Sequence, residues 1–262
     1  MTRFWFFLAT LVVGVRGVSA QPAKSAESAP QRVLVGDPQI NGTGFKPYKN
    51  LWRTRLTHPD GKTLEMGSWS DLLTADKLNG REVLRRTQIS LTPEAFTMTI
   101  NTFDAHTLAP ISTDWGPVGP DGGISPERHF HRDFNGSQIH VHVVSPQVPS
   151  GVRDDQTKLE TAPFDFYGGM YGLILAALPL KEGYSGTFPS VLEFQEKQDW
   201  VSFRVAGKER LDAGQKGAVE TWKIDATTAF GKMYFWITQE PPYIIKLVNV
   251  TPKGDTWSWE MV

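Results

Sequence analysis

Gly217-Ala-Val-Glu-Thr-Trp-Lys-Ile224, Lys232-Met-Tyr-Phe-Trp-Ile-Thr238, Tyr243-Ile-Ile-Lys-Leu-Val-Asn-Val250 and Thr256-Trp-Ser-Trp-Glu-Met261 follow one another at the end of the sequence. Each run is short, rich in β-branched and aromatic residues, and bounded by a turn cluster. That spacing is the signature of an antiparallel meander. Working backwards, Trp200-Val-Ser-Phe-Arg-Val205 and Val191-Leu-Glu-Phe194 continue the pattern. Further upstream come Phe96-Thr-Met-Thr-Ile-Asn-Thr-Phe103, Val83-Leu-Arg-Arg-Thr-Gln-Ile-Ser-Leu91 and Leu51-Trp-Arg-Thr-Arg-Leu56, the last ending at a His58-Pro-Asp-Gly61 turn. Proline and glycine stand there where a tight turn uses them. No linker divides the strand-like runs, so residues 47–262 read as a single β-rich domain.

One segment breaks the alternation. Phe164-Asp-Phe-Tyr-Gly-Gly-Met-Tyr-Gly-Leu-Ile-Leu-Ala-Ala-Leu178 is apolar and stops at Pro179. It is too long for a usual strand and too short to cross a bilayer, which predicts a buried central helix. Its glycines weaken a helix or let backbone approach closely. Tyr167, Met170 and Tyr171 would share one helix face. With Phe166, and with Trp236 and Tyr243 flanking Glu240-Pro241-Pro242, they are candidate lining for a hydrophobic ligand. Plain core packing is the competing reading of the same aromatics.

The start of the chain has a basic residue, Arg3, then the apolar run Phe4–Val15 and the small-x-small end Val18-Ser-Ala20. Residues 1–20 therefore read as a signal peptide cleaved near Ala20, placing the protein in the periplasm or outside the cell. Residues 21–46, which begin rich in Ser, Ala, Pro and Gln, read as a disordered leader. The chain has no cysteine, so neither disulfides nor a lipidated cysteine are expected. Net charge is −1 with scattered Lys and Arg, which gives no electrostatic footprint for nucleic acid. The apolar runs are too short for an integral membrane protein with helical spans.

The stretch Arg128-His-Phe-His-Arg-Asp-Phe-Asn-Gly-Ser-Gln-Ile-His-Val-His142 is the one local constellation able to bind something inorganic. Asn135-Gly136 predicts a two-residue β-hairpin turn. In that register His129 faces His142 and His131 faces His140, at the closer, non-hydrogen-bonded positions. All four imidazoles then share one face, with Phe130, Ile139 and Val141 on the other. Three of the four could converge on Zn²⁺, Cu²⁺ or Ni²⁺, completed by Asp133, Glu127 or water. A solvated face and a pH-sensitive patch are the alternatives. No Gly-x-Ser-x-Gly elbow, His-Glu-x-x-His pair or cysteine nucleophile is present. Asp154-Asp155 sit in what looks like a solvated loop.

Three passages carry a resemblance. They are Phe103-Asp-x-x-Thr107-Leu-x-Pro110, the central Tyr167–Leu180, and Glu220-Thr-Trp-Lys-Ile224 paired with Phe235–Leu247. The chain resembles a family of uncharacterised bacterial envelope proteins whose fold is similar to the carriers that ferry lipoproteins to the outer membrane. That resemblance implies a strongly curved antiparallel sheet, an incomplete barrel with a helical segment on its concave side. It implies a non-catalytic domain binding a hydrophobic molecule, a lipid or an envelope partner. The alternatives are a metal-binding protein or metal-dependent hydrolase using the histidine hairpin, and a structural envelope scaffold.

Overall fold

In a computed structural model, the described residues are 30–93, 95–165, 170–192 and 196–262. The expected signal peptide, Phe166 and Tyr167 fall outside them. The chain is mainly β. Its strands are β1 (Gln31–Arg32), β2 (Tyr48–Thr57), β3 (Thr63–Leu78), β4 (Arg81–Leu91), β5 (Phe96–Asp104), β6 (Pro110–Pro117), β7 (His129–Asn135), β8 (Gln138–Val144) and β9 (Val152–Lys158). After α1 (Met170–Ala176), the one α-helix among the described residues, come β10 (Ser185–Val191), β11 (Gln198–Asp212), β12 (Ala218–Thr228), β13 (Gly231–Ile237), β14 (Ile244–Val250) and β15 (Thr256–Met261).

All fifteen strands join one sheet in the order β1-β10-β11-β12-β13-β14-β15-β2-β3-β4-β5-β6-β7-β8-β9. Every pairing is antiparallel except β1 with β10. The meander read from the sequence is thus two meanders, joined where β15 pairs with β2. β1 and β9 are the edges, and among the described residues no pairing closes the sheet.

Several boundaries differ from expectation. Residues 30–46, read from composition as the end of a disordered leader, carry β1 and bury Val33 and Ile40 in the main core. The apolar triplet Val33-Leu-Val35 outweighs its polar surroundings, and the Val33 N–H is held by Thr187 O at 2.8 Å. The strand expected at Val191–Phe194 ends at Val191 and begins at Ser185, because Gly186 continues the ladder instead of turning the chain. The sequence also understates β3, whose alternation is interrupted by a bulge opposite Thr54 and Arg55. Asp154 and Asp155, expected in a loop, are central residues of β9.

The predicted helix is shorter than its apolar run. α1 holds seven residues, all buried, whereas Phe164 makes an isolated parallel bridge with Ser190. Side chains from both meanders meet this segment. Tyr171 hydrogen-bonds Ser190 and packs edge-on against Phe188 of β10. On β4, Arg86 reaches the Met170 sulfur at 3.8 Å. Gly172 lies so close to β13 and β14 that an added Cβ would stand 2.4 Å from Ile244 Cδ1 and 3.4 Å from Phe235 Cδ1. Glycine here permits close backbone approach.

Two buried ionic clusters face the same segment. Arg86 donates to both carboxylate oxygens of Asp71, at 2.8 and 2.7 Å, and Tyr48 donates to Asp71 at 3.1 Å. Arg132 meets Asp165 at 3.3 Å and Glu196 at 3.6 Å. Asp165 also accepts from Thr113 and, at 3.1 Å, from Asn101. Removing these charges from water is costly, so each carries several charge-assisted bonds. They tie this segment to β3, β4 and β7.

Candidate functional site

The hairpin turns one step later than its Asn-Gly signal suggests. Asn135 pairs with Gln138, so the two loop residues are Gly136 and Ser137. Gly136 has φ of 60° and Ser137 is outside the left-handed region, which is the pattern of a type II′ turn. Asn-Gly would need left-handed backbone at both loop positions, and glycine in first place needs it once. The expected pairs His129/His142 and His131/His140 are therefore replaced. His131 faces His142, His140 faces Asp133, and His129 faces Val144. The offset totals two residues, an even number, so all four histidines keep a common face. Phe130, Ile139 and Val141 are buried on the other side, in a second core with Leu159 and Val191.

Register then builds a row across four strands: Asp114 of β6, His131 of β7, His142 of β8 and Asp154 of β9. The imidazoles divide into two groups. His129 Nε2 and His131 Nδ1 lie 2.9 and 2.8 Å from the same oxygen, Asp114 Oδ1. His140 Nε2 and His142 Nδ1 lie 3.1 and 3.0 Å from Asp154 Oδ1. Asp133 stands between, 3.0 Å from His131 Nε2 and 4.0 Å from His140 Nδ1. A single four-histidine centre is not what the geometry presents, because the two His-x-His pairs turn away from each other toward carboxylates on opposite neighbours. The sequence reading does not include Asp114 among the candidates and places Asp154 in a solvated loop. Neither is near the hairpin's turn in sequence, and only strand order brings them in.

The electrostatics follow the contacts. The hydrogen bond to Asp114 raises the His131 pKa to about 9 against partial burial, with Asp133 adding to the effect. Burial pushes the Asp114 carboxyl up, but His131 and His129 outweigh it and hold it below its ordinary value. Asp154 is lowered chiefly by its bond to His142, then by His140.

The candidate ligand-lining residues do not converge on a single open cavity. Met170, Tyr171 and Tyr243 belong to the main core. Trp236 alternates with the core residues Phe235 and Ile237 and so lies on the opposite side of β13. There its Nε1–H donates to Glu209 at 2.6 Å, and the Lys223 and Lys246 ammonium groups lie 5.5 and 5.4 Å from its ring centre. A cavity of about 300 Å³ opens elsewhere, at the ends of β6, β7 and β8. Trp115, Phe130, Val143 and Val148 line it, together with His129, Arg128 and Arg153. Trp115, Phe130, Val143 and Arg153 are successive cross-strand neighbours.

Among the described residues, no helix is long and apolar enough to cross a membrane, which says nothing about strands. Comparison with solved structures finds the beta-barrel-like protein of domain of unknown function DUF1849 from Brucella abortus. The two are 10% identical with a TM-score of 0.53, over 85% of this chain and 97% of that one. That likeness is one of fold. The hypothetical lipoprotein YmcC from Escherichia coli (K12) is also 10% identical, over 86% of this chain and 90% of its own, with a TM-score of only 0.27. Comparison with curated proteins finds no match. The family described as "Protein of unknown function (DUF3108)" matches residues 62–254, most of the sheet described above, and the chain belongs to that family.

Proposed function

We propose that this protein is a non-catalytic binding domain of the bacterial envelope that takes up a hydrophobic ligand, or the acyl chain of an envelope partner, within a half-barrel. Three observations support the half-barrel. Strands from both meanders contact α1, the sheet is open at β1 and β9, and the fold is similar to a protein described as beta-barrel-like. The signal-like residues 1–20 support export, and N-terminal sequencing of the mature protein tests that point.

The observation that carries the binding reading is the cavity between Trp115, Phe130, Val143 and Val148. The main core is filled by α1 and its neighbours, so the ligand enters beside the second core and not beside Met170 and Tyr171. An apolar wall with a few polar groups at one end is the usual make-up of a small-molecule site, and the volume is at the small end of that range. Arg128 is exposed and has no ion-pair partner among the described residues, which suits an acidic headgroup.

Titration with a fluorescent fatty acid, read by quenching of tryptophan emission, tests this reading. Uptake by the native protein and its loss in Val143→Trp, which fills the cavity, is the expected result. Arg128→Ala should weaken uptake with little effect on folding. No uptake by native protein, together with a clean apo mass by native mass spectrometry, overturns the proposal.

A further inference from the structure

We propose that the outer face of the β6–β7 pair is a divalent transition-metal site, with His129 Nε2, His131 Nδ1 and Asp114 Oδ1 as its three protein ligands. The three donor atoms lie within 4.8 Å of one another. Two imidazoles and one carboxylate on one side of an ion leave further positions for water, a donor set suited to Zn²⁺, Co²⁺ or Cu²⁺. A sheet usually points neighbouring side chains in parallel. Here the His-x-His spacing on β7 supplies two rings from one face, and β6 supplies the carboxylate opposite His131.

Two further observations point to a ligand. First, His131 Nε2 is engaged by Asp133 at 3.0 Å, leaving Nδ1 aimed at the shared point. A carboxylate holding the far nitrogen of an imidazole is the usual outer support of a metal-binding histidine, fixing both ring orientation and tautomer. Second, the hairpin repeats the arrangement. On β8 and β9, His140 and His142 approach Asp154 through the same pair of nitrogens, Nε2 from the first histidine and Nδ1 from the second. The two groups differ in enclosure. Side chains of the Asp114 group are 27–28% exposed, and those of the Asp154 group 36–56%. A better shielded, tighter triad holds the ion more strongly, so the Asp114 group is the primary site.

Asp114 and His131 lie on the opposite face of the sheet from Trp115 and Phe130, while His129 also borders the cavity between those two residues. Calorimetric titration of the full mature chain with Zn²⁺, repeated with Co²⁺ and read by visible absorption, tests the assignment. One ion binds tightly per chain, with any second ion weaker. His129→Ala and Asp114→Ala each weaken the first ion at least about tenfold, and Asp133→Asn weakens it about tenfold to a hundredfold, the range for an outer-shell partner. His140→Ala with His142→Ala leaves the first ion in place. Circular dichroism of each variant reports that the sheet remains formed. Absence of saturable binding by native protein overturns the site, as does a first ion unaffected by His129→Ala and Asp114→Ala. Loss of the first ion in the His140/His142 variant alone also overturns it.

Discussion

Arg132 of β7 and Asp165, just before α1, form an ion pair of 3.3 Å in which the arginine side chain is fully buried and the aspartate 3% exposed. This contact ties the segment leading into α1 to the β2–β9 meander. The Asp71–Arg86 pair ties the first residue of α1 to β3 and β4 in the same way. Breaking one partner of a buried pair is far more costly than the pair is favourable, because the remaining charge is stranded. Asp165→Ala removes a carboxylate paired with the buried Arg132 and the acceptor used by Asn101 and Thr113. We expect a loss of about 3–5 kcal/mol in unfolding free energy by urea titration. Asp165→Asn, which keeps acceptor and shape, loses less. Equal stability of native and Asp165→Ala proteins would show that the segment is not held this way.

The hairpin register gives a second prediction. His131 and His142 are directly opposite, two pairs beyond the Asp133–His140 level. Alternation from the turn makes theirs a hydrogen-bonded pair with Cα atoms about 5.5 Å apart, within disulfide range. The natural chain has no cysteine, so engineered pairs report without interference. Mild oxidation should close a disulfide in His131→Cys/His142→Cys and leave His129→Cys/His142→Cys largely open. Mass spectrometry before and after alkylation reads the difference. The same turn predicts that Gly136→Ala costs about 1–2 kcal/mol, since a side chain is disfavoured at its left-handed φ.

This hairpin also shows what a sequence can and cannot reveal about the site. Period-two alternation places four histidines on one face whichever two-residue turn is used, so the face was legible. The register was not, because Asn-Gly and Gly-Ser are both good turn pairs and differ in whether both loop residues or only the first take left-handed backbone. The carboxylates were illegible for a different reason. Asp114 comes 15 residues before His129, and Asp154 comes 12 after His142, so only the β6-β7-β8-β9 order makes them neighbours. The aromatic residues show the converse limit. Trp236 and Tyr243 flank one turn in sequence, but alternation sends Trp236 to the outer face while Tyr243 enters the core. The strand-rich class and the short buried helix were readable because both depend on local pattern.

Acid stability should depend on Asp104, which closes the β5–β6 turn. Its Oδ1 accepts from the N–H groups of His106 and Thr107 and from the Thr107 hydroxyl, at 3.0, 2.7 and 2.7 Å. Its Oδ2 accepts from Arg81 at 2.8 Å. Burial opposes the charge, yet these bonds to Thr107, Arg81 and His106 lower its pKa to about 2 from an ordinary value of 3.8. The folded value lies below the unfolded one, so the stabilisation is complete above about pH 4 and is lost as pH falls through about 2. Urea midpoints at pH 4, 3 and 2 should fall more steeply for native protein than for Asp104→Asn. Parallel slopes would remove Asp104 from the account.

Gly172 gives a prediction in which two effects oppose each other. Alanine in a helix interior is favoured over glycine by about 1 kcal/mol. In α1, however, the new Cβ would stand 2.4 and 2.7 Å from Ile244 Cδ1 and Cγ1. Ile244 is 1% exposed and belongs to the main core, so it has little room to yield. Overpacking of this kind costs about 1–3 kcal/mol, enough to cancel or exceed the helix gain. We expect Gly172→Ala to lower the thermal midpoint. Adding Ile244→Val, which removes the Cδ1 methyl, should be less destabilising in the Gly172→Ala background than in the native protein. A double-mutant cycle measured by urea unfolding gives the coupling directly. Simple additivity would mean that α1 lies farther from β14 than 2.4 Å implies, and that glycine serves some end other than close approach.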